Sequence, residues 1–248
     1  MLISLIAFSA AFTLVVIIHE LGHFIAAKMA GIKVYEFSLG FAFSKKIATL
    51  FRYKETEFTL RAIPLGGATR FSGEDDPDAK EFFKVPCAQR LAIIIAGVVF
   101  NIILTFLVFT IVFILGRKLG ILDAMFLSAK NMCHIFTSTF FFIQKLISGT
   151  GSLNNFAGPV GMATTAGAVA SMGILHLLYF TGLLSISIAI INMLPLPSLD
   201  GGQAVMTCIE WVKGKAISPR VYRIVNMTGM ILLLIFTVVI TTKDIICP

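Results

Sequence analysis

The sequence predicts a membrane α-helical protein: about four transmembrane helices, a small membrane-associated β-hairpin or sheet region, and a peripheral amphipathic helix. Three observations carry this. Of the 248 residues, 57% are hydrophobic and only 13% charged, and the mean hydropathy is +0.93, far more apolar than a soluble domain. Four apolar segments, about 2–27, 88–116, 173–197 and 224–242, are each long enough for a hydrocarbon core of about 30 Å, which takes roughly 20 helical residues. Between the first two, residues 33–72 alternate apolar and polar side chains, the period of a strand.

The first segment begins Met-Leu-Ile without a basic leader, and no small-residue cleavage site follows it. It reads as a retained span and not as a signal peptide. In the next region, "KVYEFSLGFAF" and "ETEFTLRAIPLGGATRF" are rich in β-branched and aromatic residues and are broken by Gly40, Pro64, Gly66 and Gly67. Such texture gives short strands and hairpins. A sheet at the membrane surface has an edge that an extended peptide can join, and residues 58–63, centred on Leu60, are read as that edge; a plain connecting hairpin is the alternative. "SGEDDPDAKEF" is a polar, turn-forming linker to the second span. A further segment, about 121–147, carries Asp123, Lys130, Asn131, His134 and Lys145 among apolar residues and reads as an amphipathic, peripheral helix in an external region of about 121–170. The sequence carries no repeat or low-complexity tract, and nothing between the second span and Asn154–Asn155 is long enough for a folded recognition module. The whole chain, 1–248, is read as a single domain.

Lys and Arg number eleven in residues 28–90, four in 203–224 and four in the longer stretch 117–170. The positive-inside rule places the first two regions in the cytoplasm and both termini outside it. The formal charge of +7 is no sign of nucleic acid, because the bases sit beside the spans and share residues 28–90 with eight acids. Anionic lipid headgroups of the bilayer are the expected partner. The four cysteines form no CxxC pair; only Cys133 and Cys247 fall on the predicted external side, where a disulfide between them is the weaker reading and free thiols the stronger.

The chemistry is concentrated in "VVIIHELGHFIAAKMAG", residues 15–31, where His19, Glu20 and His23 interrupt an apolar helix. Residues four apart share a helix face, so both imidazoles can bind one metal with Glu20 beside them. This is the HExxH pattern of zinc hydrolases. Unpaired ionisable groups in a bilayer cost several kcal/mol, about 3 per group on insertion scales, which argues against an idle cluster. A catalytic zinc takes three protein ligands and an open position. His134 and His176 lie toward the external side, away from the motif. A better donor lies in "NMLPLPSLDGG", residues 192–202, where two prolines and paired glycines break the third span beside Asp200. Spacing alone leaves open whether Asp200 is a ligand or the cap of the following helix.

In these motifs the chain resembles the site-2 protease family of intramembrane zinc metalloproteases, in particular its bacterial regulator-of-sigma-E branch. The matching stretches, in family order, are "HELGH" at 19–23, "IPLGG" at 63–67, "GVVFN" at 97–101, "LNNFAGPVG" at 153–161 and "INMLPLPSLDGG" at 191–202. The resemblance implies regulated intramembrane proteolysis: hydrolysis of transmembrane substrate segments, single-span or anti-sigma-factor-like, by a multi-pass protein of the inner (cytoplasmic) membrane. It implies one Zn2+ per chain held by His19, His23 and Asp200, with Glu20 as general base. It also implies substrate contacts from Asn192, Asn101 near the site, and an edge strand presented by Gly66 and Gly67. The two metal motifs lie late in inward-running spans, which predicts an active site toward the cytoplasmic side. One departure stands out: the branch usually carries PDZ modules between the second and third spans, and here only "GRKLGILD" follows the second. The rival reading is a metal transporter or metal-sensing membrane protein without hydrolysis. Such a site has no need of a general base beside its ligands, and a transporter would carry ionisable residues along several spans.

Overall fold

A computed structural model describes residues 2–40, 44–62, 66–71, 81–150 and 157–246. The elements run α1 (Leu2–Met29), β1 (Val34–Leu39), β2 (Lys46–Tyr53), β3 (Thr56–Arg61), β4 (Gly67–Phe71), α2 (Glu81–Lys84), α3 (Cys87–Arg117), α4 (Ile121–Ile147), α5 (Pro159–Ser171), α6 (Ile174–Asn192), α7 (Asp200–Lys213) and α8 (Pro219–Ile246). Four helices are long and apolar enough to cross a membrane: α1, α3, α6 and, from Arg220, α8. They correspond to the four predicted spans. The strands fall within 33–72 as expected, and α4 is the amphipathic helix. Residues 63–65 of the "IPLGG" stretch, the linker 72–80, and Asn154–Asn155 lie outside the described residues.

The third span stops earlier than its hydropathy suggests, at Asn192 and not at 197. Pro195 and Pro197 lack amide donors and force the preceding residues out of the helix. Ser198 takes a left-handed backbone angle, φ 67°, before α7 begins at Asp200. Residues 118–120 alone join α3 to α4, too few for any folded module.

The chain packs as two compact units. One comprises residues 13–101 and 191–230. Its four-stranded sheet has the order β2-β3-β1-β4, with β1 parallel to β3 and antiparallel to β4, and β2 antiparallel to β3. The sheet packs on α1 through Phe24, whose ring lies 5.8 Å from Phe37 of β1 and 6.0 Å from Phe58 of β3. Glu36 of β1 is paired with the guanidinium of Arg61 on β3 at 2.7 Å. Ala27, Ile32, Val34, Phe82, Ile93 and Ile94 form the core of this unit. A Cβ on Gly22 of α1 would lie 2.5 Å from the Ala96 carbonyl of α3, so only glycine lets the two backbones approach this closely.

The other unit comprises residues 1–12, 102–190 and 231–248. Here Phe109 and Phe113 of α3 pack with Ala124 of α4, and Tyr179 of α6 stacks on Phe109 with ring centres 4.9 Å apart. Asn131 of α4 donates to the Tyr179 hydroxyl. Asp244 of α8 accepts the Gly161 N–H at 2.8 Å and so satisfies a donor in the first turn of α5.

One prediction is corrected by the sheet. Leu60 does not lie on an edge, because β3 pairs with β1 on one side (Leu60 opposite Leu39) and with β2 on the other (Leu60 opposite Ala48). Its main chain is already committed to the ladder. The outer strands are β2 and β4.

Candidate active site and metal centre

His19 and His23 sit one turn apart on α1, both buried, and their Nε2 atoms are 3.2 Å apart. Asp200, first residue of α7, brings Oδ2 to 3.0 Å from His19 Nε2 and 3.5 Å from His23 Nε2. Ligands around a tetrahedral zinc with bonds of about 2.0–2.1 Å stand roughly 3.3 Å apart, so these three separations suit one ion. The donor set, two imidazole nitrogens and a carboxylate oxygen, is that of a catalytic zinc. Asp200 Oδ2 is buried beside the two imidazole nitrogens, and a cation between the three atoms would offset the cost of burying the carboxylate. Among the described residues this is the one group of three or more such side chains placed to hold a metal. The capping alternative for Asp200 finds no support: the N-cap of α7 is Leu199.

The surroundings constrain these candidate ligands. His23 donates its Nδ1–H to the Ile93 carbonyl at 2.9 Å, leaving Nε2 to face the cluster. Asn101 of α3 lies with its amide 3.3 Å from His19 Nδ1. Asn192, at the end of α6, is 3.5 Å from His19 Nε2. Gly97 stands one turn before Asn101, and a Cβ there would lie 2.4 Å from His23 Nε2. Asp200 is delivered by the paired glycines that follow it: a Cβ on Gly201 would meet the Leu194 carbonyl at 2.3 Å, and one on Gly202 the Leu196 carbonyl at 2.1 Å. α7 therefore begins pressed against the proline-interrupted loop.

Glu20 faces the sheet. Its Oε2 accepts a hydrogen bond from Thr69 of β4 at 2.8 Å, and a Cβ on Gly67 would lie 2.7 Å from its Cγ. Gly66, at φ 109°, precedes β4 and accepts the Gly40 N–H through its carbonyl. Thus His19, Glu20, His23, Asp200, Asn101, Asn192 and Gly67 gather in one place, whereas Leu60 belongs to an inner strand. Thr69 was not singled out by the sequence, since nothing marks one threonine in an alternating strand. Gly97 opens the "GVVFN" stretch, and the four-residue step to Asn101 is the signal that both share a helix face.

A membrane-spanning helix carrying HExxH, a carboxylate brought in at a helix break, and a spacing that suits zinc together define a membrane-embedded zinc peptidase. The chain belongs to peptidase family M50, whose family model matches residues 7–236; it is an intramembrane zinc metalloprotease of regulated intramembrane proteolysis. A Clostridium acetobutylicum protein named for zinc metalloprotease activity is 25% identical over 328 aligned positions, covering 96% of each chain. That alignment exceeds the 248 residues here, so at least 80 positions of the relative have no counterpart. The zinc metalloprotease RasP of Geobacillus kaustophilus is 40% identical over 103 residues, 42% of this chain and 24% of that protein. The regulator of sigma-E protease RseP of Escherichia coli is 36% identical over 119 residues, 48% of this chain and 26% of that protein. Family membership removes the transporter or sensor alternative.

Proposed function

We propose that His19, His23 and Asp200 bind one zinc ion per chain and that Glu20 is the general base for cleavage of transmembrane substrate segments. The observation that carries this is the convergence of His19 Nε2, His23 Nε2 and Asp200 Oδ2 at separations of 3.0–3.5 Å, with Glu20 next in the chain. Zinc held there supplies Lewis acidity and brings a water's pKa to about 7. Glu20 takes a proton from the attacking water and returns it to the leaving amine. Ligation through His19 Nε2 requires a proton on Nδ1, and the Asn101 amide accepts that proton when it turns its oxygen toward the ring. Asn192 stands beside the cluster, where its amide can hold the carbonyl of a bound peptide.

A helical substrate hides its carbonyls in hydrogen bonds and must unwind to be cut. Being an outer strand that also carries a residue bonded to Glu20, β4 is the better receiver for the unwound segment, pairing with it by main-chain hydrogen bonds. The chain acts as one catalytic domain of the inner membrane, with both termini external and the site toward the cytoplasm, a reading that the Lys and Arg distribution supports. Its substrates are membrane-spanning regulators of the anti-sigma-factor kind, by analogy with the names of the sigma-E relatives. Metal analysis of Asp200→Ala tests the ligand set. Two imidazoles alone make a poor zinc site, so the variant is expected to lose zinc and cleavage together; zinc bound as tightly as in the parent would remove Asp200 from the set.

A further inference from the structure

We propose that Thr69 is a positioning residue for the general base, its hydroxyl holding one carboxylate oxygen of Glu20 so that the other is presented to the proton being moved. The inference rests on the reading of Glu20 given above. Thr69 is only 8% exposed. Its Oγ1 lies 2.8 Å from Glu20 Oε2 and 3.2 Å from the Glu20 main-chain carbonyl. A hydroxyl has one proton to give, and the carboxylate oxygen at 2.8 Å is the nearer acceptor.

Glutamate ends in a freely turning carboxylate on a flexible stem, and a proton acceptor works best when it is held in place. Both parts of Glu20 are held by alternate residues on one face of β4. Gly67 bounds the stem: a side chain there would lie 2.7 Å from Glu20 Cγ and 2.9 Å from Val16 Cγ1. Thr69 holds the head. The base is therefore placed by the outer strand as well as by its own helix. A substrate paired to β4 would have its register set by the same strand whose Gly67 and Thr69 place the base.

The test uses the full-length, zinc-loaded chain carrying Thr69→Val, Thr69→Ser or Glu20→Gln, with a transmembrane-segment substrate. Valine keeps the shape and strand preference but cannot donate. Thr69→Val is expected to lower kcat about ten- to a hundred-fold, the scale of one hydrogen bond to a charged group, with KM within about twofold and zinc content unchanged. Thr69→Ser should recover most of the loss. A readout without turnover separates the two acceptors: Thr69→Val should lower the thermal midpoint of the metal-free chain, and this shift should vanish in a Glu20→Ala background. Equal shifts in both backgrounds would assign the hydroxyl to the main-chain carbonyl and overturn the proposal. Parental kcat for Thr69→Val, or loss of zinc alongside activity, would overturn it too. If Glu20→Gln is inactive while Thr69→Val is fully active, this inference alone fails; if Glu20→Gln cleaves normally, the reading of Glu20 as base fails with it.

Discussion

Gly97→Ala should damage the metal centre although no ligand is changed. A Cβ at this position would lie 2.4 Å from His23 Nε2, 2.7 Å from His23 Cε1 and 2.8 Å from His19 Cε1, whereas ordinary contact begins at 3.4 Å. Either the imidazoles or α3 must therefore give way by about 1 Å. His23 cannot withdraw freely, because its other ring nitrogen is bonded to Ile93 on the same helix, one turn earlier. A shift of that size in a ligand is worth about 10–100-fold in metal affinity, on the scale of lost supporting contacts, and about 100-fold in rate when it misplaces a reacting group. Zinc affinity would be read by competition against a chelator of known strength, and rate by cleavage of a membrane-embedded reporter. Gly116→Ala, on the same helix, is the control: its Cβ would meet only Leu175 Cδ1 at 3.6 Å, and alanine is the better helix former. Zinc binding within twofold of the parent in Gly97→Ala, with normal cleavage, would refute the close packing of α3 against the imidazoles.

Leu60→Pro should lose folded protein, zinc and cleavage together, because proline breaks the ladder of an inner strand; selective loss of cleavage with full thermal stability would return β3 to the role of an edge. Lys54→Cys and Thr150→Cys, in a background without native cysteines, should be labelled by an impermeant thiol reagent from opposite faces of the membrane, with Lys54→Cys protected in intact cells; labelling of Lys54→Cys from outside would invert the topology. Burial raises the pKa of Glu36, but the Thr59 hydroxyl and the Arg61 guanidinium outweigh it and hold the carboxyl below its ordinary value. A depressed folded-state pKa gives stability that is present above about pH 4.3, the unfolded value, and is lost as the pH falls below it. The thermal midpoint should therefore drop on acidification through that range and drop less in Glu36→Gln; an unchanged acid slope in Glu36→Gln would refute the assignment.

How much could be read from the sequence follows from how local each feature is. His19 and His23 were legible because a four-residue step on an apolar helix fixes their shared face whatever the rest of the fold does. The spans were legible by length and hydropathy, although the third ends at Asn192, since the apolar count runs on through residues that Pro195 and Pro197 keep out of a helix. On spacing alone Asp200 was legible as a candidate only, and the family resemblance supplied the assignment, because its approach to the imidazoles depends on Gly201 and Gly202 fitting against carbonyls of the preceding loop. Strand neighbours were not legible. Alternation in "ETEFTLR" marks a strand, but the parallel pairing of β1 with β3 is long-range, and it is this pairing that turns the expected edge into an inner strand. Thr69 was hidden for the same reason, because its partner lies 49 positions away in the chain.

The central claim is tested most directly by Glu20→Gln, measured for zinc and for cleavage in the same purified preparation. The amide cannot accept the proton, yet His19, His23 and Asp200 remain in place. One zinc per chain with no detectable cleavage of a transmembrane substrate is the predicted result. Cleavage at a rate near that of the parent would contradict the account.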